Sequence, residues 1–439
     1  MFKADKGYLI LLMFFSPILG LINLLKSKDD RVLIFFGVLF FGIFGSLYVY
    51  RPGSDGETHL ANAILHYTDM SVEVFFKEFF ELATLNSANS VAKDLYLHCI
   101  SYLAASVFGI PELIHVFAGL VLGYFFSKSV LLILQNKLSV KKNRILIGFI
   151  IVLLLYKSLG AMNSIRMWTG MWIFFYGALS YATTKKKKYL LILLLSIVVH
   201  FSYLVVLIPF IGAYIFRRRT HILTIFYLLS FGLTLNFANI ENYLPKTSLI
   251  ESQQDTYVID SEEDVARMES RNEIKSKINR NFYTTYGEGF FISILIPGLT
   301  LVLLFFFNSK YADDRFNFLM ASGIGLFSFS NVVTFSPTIS GRVKIIAGLF
   351  IIAATIHFLF TLKKYQLSKK NITLLNRILV IFLIASIPMV LFQMSYIIQM
   401  LSFFTLVLPP VSWFLGNADF SIREVIGLLF EYNQIMKIA

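Results

Sequence analysis

The sequence predicts an all-α polytopic membrane protein with roughly 12–14 membrane helices, some of them short or re-entrant. Three observations carry that reading. Of the 439 residues, 57% are hydrophobic and only 15% are charged. Mean hydropathy is +0.71. Apolar runs recur along the whole length, each about long enough to cross a ~30 Å hydrocarbon core. In lipid such runs are helices or closed barrels, because no water satisfies the backbone. They are continuous and not alternating, so they are helices. No separate soluble domain is visible, and residues 1–439 read as one integral membrane domain. No small-residue cleavage site follows the first run, which therefore reads as a retained helix.

The apolar segments lie at 7–25, 31–49, 95–110, 112–134, 145–162, 165–182, 189–216, 221–237, 289–307, 316–333, 343–361 and 378–408. The net charge of +13 sits mostly in short connections: 137–144, 183–188, 217–219 and 363–377. Lysine and arginine there set topology and point away from nucleic acid as a partner; the positive-inside rule makes these loops cytoplasmic. The single cysteine, Cys99, lies in an apolar stretch. It excludes a disulfide framework and reads as packing.

The same rule interprets the long run 189–216. Four lysines precede it and three arginines follow it. With both flanks cytoplasmic, the run enters and returns. Its total rise of ~42 Å allows two half-length helices, with His200 near the turn. By the same bookkeeping, Asn163 to Arg166, residues 238–288 and the loop 334–342 face outside. The outer loop 51–94 carries an amphipathic stretch, 72–85, suited to the membrane surface. Segment 95–110, interrupted by His98, Cys99 and Ser101, reads as re-entrant or interfacial. Within 238–288, Ser261 reads as the N-cap of a helix over 261–280.

Ionisable groups at membrane depth are costly, and several converge on this outer side. Arg51, Asp55, Glu57 and His59 follow the second helix; Asn163 and Arg166 open another; His200 sits at the turn; Arg342 and Lys344 open a later helix. A guanidinium beside a helix N-terminus makes an anion site, and its planar fork suits phosphate oxygens. The ligand expected is a lipid-linked phosphate or diphosphate. Asp55, Glu57, His59 and His200 are candidate general bases towards a hydroxyl. No metal motif is present, and no cofactor is expected: there is no HExxH, P-loop, Rossmann glycine pattern or nucleophile elbow. Asp313 and Asp314, beside Lys310 and Arg315, read as a solvated cytoplasmic pair.

This layout resembles the Wzy-class bacterial O-antigen and polysaccharide polymerases, in particular their EpsG-like branch. The resemblance rests on Arg51, Gly53 and Asp55 after the second helix, Ile165-Arg166 opening a helix, and the basic loop Lys185 to Lys188. Val199-His200-Phe201-Ser202 and Gly341-Arg342 complete it. Gly56 stands where those proteins usually carry tyrosine. Order and spacing match over roughly residues 40–360.

The resemblance implies a fold like the GT-C glycosyltransferases. It also implies metal-independent transfer of a glycan from undecaprenyl diphosphate to a sugar hydroxyl of another lipid-linked repeat unit, on the outer face of the bacterial inner membrane. Arg166 and Arg342 would hold the diphosphate, with Arg51 in support. Asp55 or His200 would be the base. Glu57, His59, Asn163 and Lys344 would contact substrate. A chain-length regulator and membrane lipids are the implied partners. The alternatives are a lipid-linked oligosaccharide flippase, expected to show internal two-fold symmetry, and an O-antigen ligase, which would differ only in acceptor.

Overall fold

The computed structural model describes residues 6–24, 27, 29–84, 91–134, 143–233, 282–306, 312–406, 408–415 and 420–428. Among them the protein is helical, without named strands; two isolated bridges, Tyr48 to Leu401 and Ser402 to Ser421, are the exceptions. The helices are α1 (Lys6–Phe15), α2 (Pro17–Leu24), α3 (Asp30–Ser46), α4 (Asp55–Tyr67), α5 (Val72–Ala83) and α6 (Leu95–Tyr102). They continue with α7 (Leu113–Ile133), α8 (Arg144–Leu155), α9 (Ile165–Thr184), α10 (Lys188–Val199), α11 (Tyr203–Phe216) and α12 (Thr220–Ser230). The last are α13 (Ile296–Phe306), α14 (Asp314–Val332), α15 (Pro337–Thr361), α16 (Lys369–Ala385), α17 (Ile387–Met400) and α18 (Pro409–Leu415).

Among the described residues, five helical stretches are long and apolar enough to cross a membrane: Leu113–Ile133, Arg144–Thr184, Phe282–Phe306, Pro337–Tyr365 and Lys369–Met400. The second is α8 and α9 joined by a 3-10 turn, Leu159–Ser164. α15 is the buried axis of the bundle, with nearly every residue from Ile345 to Leu359 shielded. α14 lies along it, and α9 packs against both α7 and α10. α3 and α7 approach closely through glycines. A Cβ at Gly45 would strike the His115 carbonyl, and one at Gly119 would strike the Phe41 carbonyl. Small residues let membrane helices pack where no hydrophobic force joins them.

The run 189–216 is two half-length helices, α10 and α11, each ~18–21 Å long. They are separated at His200, whose extended backbone (φ −156°, ψ 117°) breaks the helix. Segment 95–110 is likewise short. α6 runs into a π-turn, Leu103–Val107, and their combined rise of about 20 Å falls short of a ~30 Å core. α5 presents Val72, Phe76 and Phe80 outward on one side while Leu82 is buried. That is the amphipathic pattern expected of 72–85.

Several boundaries differ from the sequence reading. Residues 334–342 are a loop only as far as Ser336, which caps α15 through the Ile339 amide; Pro337 is the first residue of that helix. Proline at N1 is a start signal that hydropathy does not register. Arg342 and Lys344 therefore sit in the second turn of α15 and do not open it. The connection 363–377 is helical from Lys369, with Ser368 as its cap. Segment 378–408 is the continuous stretch Lys369–Met400 followed by a short turn. The first run breaks at Ser16-Pro17 into α1 and α2.

The Asp313-Asp314 pair is also not simply solvated. Asp313 caps α14 through the Phe316 amide and meets His357 Nε2 at 2.9 Å. Burial raises its pKa, but the hydrogen bonds from His357 and Phe316 outweigh it and bring the carboxyl to about 2. Asp314 is exposed and paired to Arg218 at 3.2 Å, while the Asp313 side chain is partly open to solvent beside His357. Lys310 and the helix expected over 261–280 lie outside the described residues.

Candidate active site

One end of the bundle gathers the ends of α3, α8, α10, α14 and α17 and the beginnings of α4, α9, α11 and α15. The site is built there, from Arg166 outwards.

Arg166 is the second residue of α9 and reaches across to Asp94, Nη1 to Oδ2 at 2.8 Å. Asp94 is almost fully buried; its other oxygen accepts the Leu97 amide at 3.0 Å and so caps α6. Burial pushes the Asp94 carboxyl up, while the Arg166 charge and the Leu97 amide pull it back. The same guanidinium acts electrostatically on His59 and on His200, and His200 also senses Arg342. Of the sequence-predicted residues, Arg166 is thus within electrostatic reach of both His59 and His200, and Arg342 within reach of His200. His200 is fixed by its own turn, where Nδ1 meets the Ser202 hydroxyl at 3.1 Å.

Asp55 joins this group from α4. Its Oδ2 accepts the Ser164 hydroxyl at 2.5 Å, two residues before Arg166. It is the first residue of α4, and Ser54 caps that helix through the Glu57 amide at 3.2 Å. Glu57 returns to the Gly53 amide at 2.6 Å. This resembles a capping box shifted by one residue, since Glu57 accepts from the residue before the cap, and so Glu57 shapes the turn that presents Asp55. Gly56 packs against the Tyr48 ring, where a Cβ would lie 2.5 Å from the hydroxyl. That close approach accounts for glycine after Asp55.

Asn163 is a structural tie. Its Oδ1 accepts the Tyr48 hydroxyl at 3.0 Å and the Gly56 amide at 3.1 Å; its Nδ2 donates to Tyr396 Oη at 2.8 Å. It clamps the end of α3 and the start of α4 to α17. An Asn163→Ala variant is expected to lose about 2–4 kcal/mol of stability, from stranding these groups. Chemical denaturation in detergent measures it; unchanged stability would leave Asn163 without this role. Arg51 is likewise drawn to α17, with Nη1 on Gln399 Oε1 at 2.6 Å and Nε on the Gln399 carbonyl at 3.1 Å.

Burial, and after it the Arg166 charge, brings His59 down to about 4 from its ordinary value near 6.5. A depressed histidine stabilises the fold in its neutral form. That contribution is complete above pH ~6.5 and is lost as pH falls towards 4. Thermal stability in detergent should decline over that window, and His59→Gln should flatten the decline. An unchanged slope would contradict the burial of His59.

Next to Ser164 opens a cavity of about 650 Å³, lined by Lys157, Trp168, Glu288, Lys344, Gln393 and Tyr396 among others. Lys157 Nζ meets Glu288 Oε2 at 2.7 Å, and Gln393 Nε2 donates to the same oxygen at 2.9 Å. The ammonium also lies 4.3 Å from the centre of the Trp168 ring. Lys344 reaches this cavity, as does Gly341 beside Arg342. Asp94, Lys157, Glu288 and Gln393 were not singled out by sequence. Lys157 carried a signal, being a charge at the end of an apolar run; the others lay in segments read as connectors or as plain apolar helix.

No curated protein and no solved structure matches the chain. A family model described as the EpsG family matches residues 76–406, a span that contains α6 to α17 and every group named above except those of α3, of α4 and of the turn between them. This membrane protein belongs to the EpsG family.

Proposed function

We propose that the protein is a polysaccharide polymerase of the Wzy class with a GT-C-like fold, working in the bacterial inner membrane with its site towards the periplasm or cell exterior. It transfers a glycan from undecaprenyl diphosphate to a sugar hydroxyl of another lipid-linked repeat unit. Membership of the EpsG family supports the coarser statement, a polysaccharide polymerase-like activity. What supports the finer one is that Arg166 and Arg342 both act electrostatically on His200, while Asp55 is bonded to Ser164, two residues from Arg166. The basic loops at the opposite ends of α7, α9 and α11 support the orientation.

In the reaction, the acceptor hydroxyl oxygen attacks the anomeric carbon of the donor. The bond from that carbon to the diphosphate oxygen breaks, and undecaprenyl diphosphate departs with the electron pair. Arg166 and Arg342 stabilise the charge that develops on it, the largest contribution available in a water-poor site. His200 is buried, with Nδ1 on the Ser202 hydroxyl, and is poorly placed to receive the acceptor's proton. Asp55 is the better base: it is held by one hydroxyl and its second oxygen is open to the acceptor. A protein that limits chain length would act on the same product.

Complementation of a polymerase-deficient bacterium carrying the cognate glycan locus tests the reading. Restoration of a ladder of lipid-linked glycan supports it. An unchanged length distribution, with more single units reaching the outside, would instead make the protein a flippase; capping of an acceptor with single units would make it a ligase.

A further inference from the structure

The cavity beside Ser164 has features that holding a diphosphate does not require. Its volume of about 650 Å³ falls within the ~300–1,000 Å³ of ordinary small-molecule sites. Glu288 offers a carboxylate whose Oε2 is fixed from two sides by Lys157 and Gln393. A clamped carboxylate and flanking aromatic faces, here Trp168 and Tyr396, suit the hydroxyls and the apolar face of a sugar ring. Ser164 and Tyr396 join the cavity to Asp55 and to Asn163. A sugar held there lies next to the group assigned as base.

Lys344 adds specificity. It is half-buried in the cavity wall. Among the described residues it makes no hydrogen bond or ion pair, and it lies 5.9 Å from the Phe327 ring centre. Lys157 is neutralised by Glu288, so among the described residues lining the cavity Lys344 is left as an uncompensated cation. A half-buried ammonium without a counter-ion is costly, and an anionic ligand removes that cost.

We propose that this cavity is a glycan subsite, distinct from the Arg166–Arg342 diphosphate site, in which Glu288 receives sugar hydroxyls and Lys344 pairs with an anionic substituent of the lipid-linked glycan. The inference rests on the polymerase reading for its ligand class, but its test needs no turnover. The anion has two possible sources, a carboxylate on the sugar or the lipid diphosphate; the sugar is taken as its source, because the diphosphate is assigned to Arg166 and Arg342.

Full-length protein in lipid nanodiscs would be titrated with three probes. They are the repeat-unit oligosaccharide released by mild acid from its lipid carrier, the same oligosaccharide with its carboxylates reduced to alcohols, and farnesyl diphosphate. Lys344→Met should weaken binding of the native oligosaccharide about tenfold or more, a typical cost for a lost charge-assisted bond. It should leave the reduced oligosaccharide and farnesyl diphosphate unchanged. Glu288→Gln should weaken both oligosaccharides and spare farnesyl diphosphate, which also reports that the variant is folded. If Lys344→Met weakens farnesyl diphosphate and spares the oligosaccharide, the anion is the carrier's and the inference is overturned. If neither variant changes any affinity, the cavity is not a ligand site. Failure of the polymerase reading would show separately, as oligosaccharide binding without a ladder in cells.

Discussion

Replacing Arg166 by alanine is expected to abolish chain elongation, leaving single repeat units on their lipid carrier. Removing one preorganised donor to a developing anion costs ~10²–10³ in rate, and Arg166 also orders Asp94. Arg166→Lys should recover only part of the activity, because a point charge does not reproduce the planar fork. Arg342→Ala should likewise leave single repeat units on the carrier. Gel analysis of lipid-linked glycan at matched protein levels distinguishes these outcomes. A full ladder from Arg166→Ala would remove the arginine from the chemistry.

The second large effect is expected at Asp94, through the fold. Asp94→Ala should destabilise the protein by about 3–5 kcal/mol, the usual consequence of breaking a buried pair from one side. The α6 cap is lost in the same step, worth about 1 kcal/mol elsewhere. Asp94→Asn should retain the cap and lose less. Thermal unfolding in detergent measures both, and a double variant with Arg166→Ala should be less destabilised than the two single losses summed. Additive losses would mean that the two residues do not act as a pair.

Much of this architecture was legible because membrane topology is written in composition. The half-helices about His200 follow from lysines on one flank and arginines on the other, with too little length between them to cross and return fully. Arg166, Asp55 and Arg342 were legible as costly charges on one side. The beginning of α15 was not, because Ser336-Pro337 is a capping signal inside a polar segment that hydropathy assigns to a loop. Partners were not legible either. Asp94 and Arg166 lie 72 residues apart, and Lys157 and Glu288 lie 131 apart. Neither periodicity nor the positive-inside rule couples single residues over such separations. Asn163 shows the converse: a polar residue in the right place for substrate whose hydrogen bonds are spent on the fold.

Transfer between two lipid-linked substrates can be followed in a reconstituted system. Purified protein in liposomes would be given lipid-linked repeat units, and the products resolved by length. Lipid-linked dimers and longer chains are expected, with one undecaprenyl diphosphate released for each bond formed and none of either with Arg166→Ala. Repeat units that cross the bilayer without joining, and with no diphosphate carrier released, would contradict it.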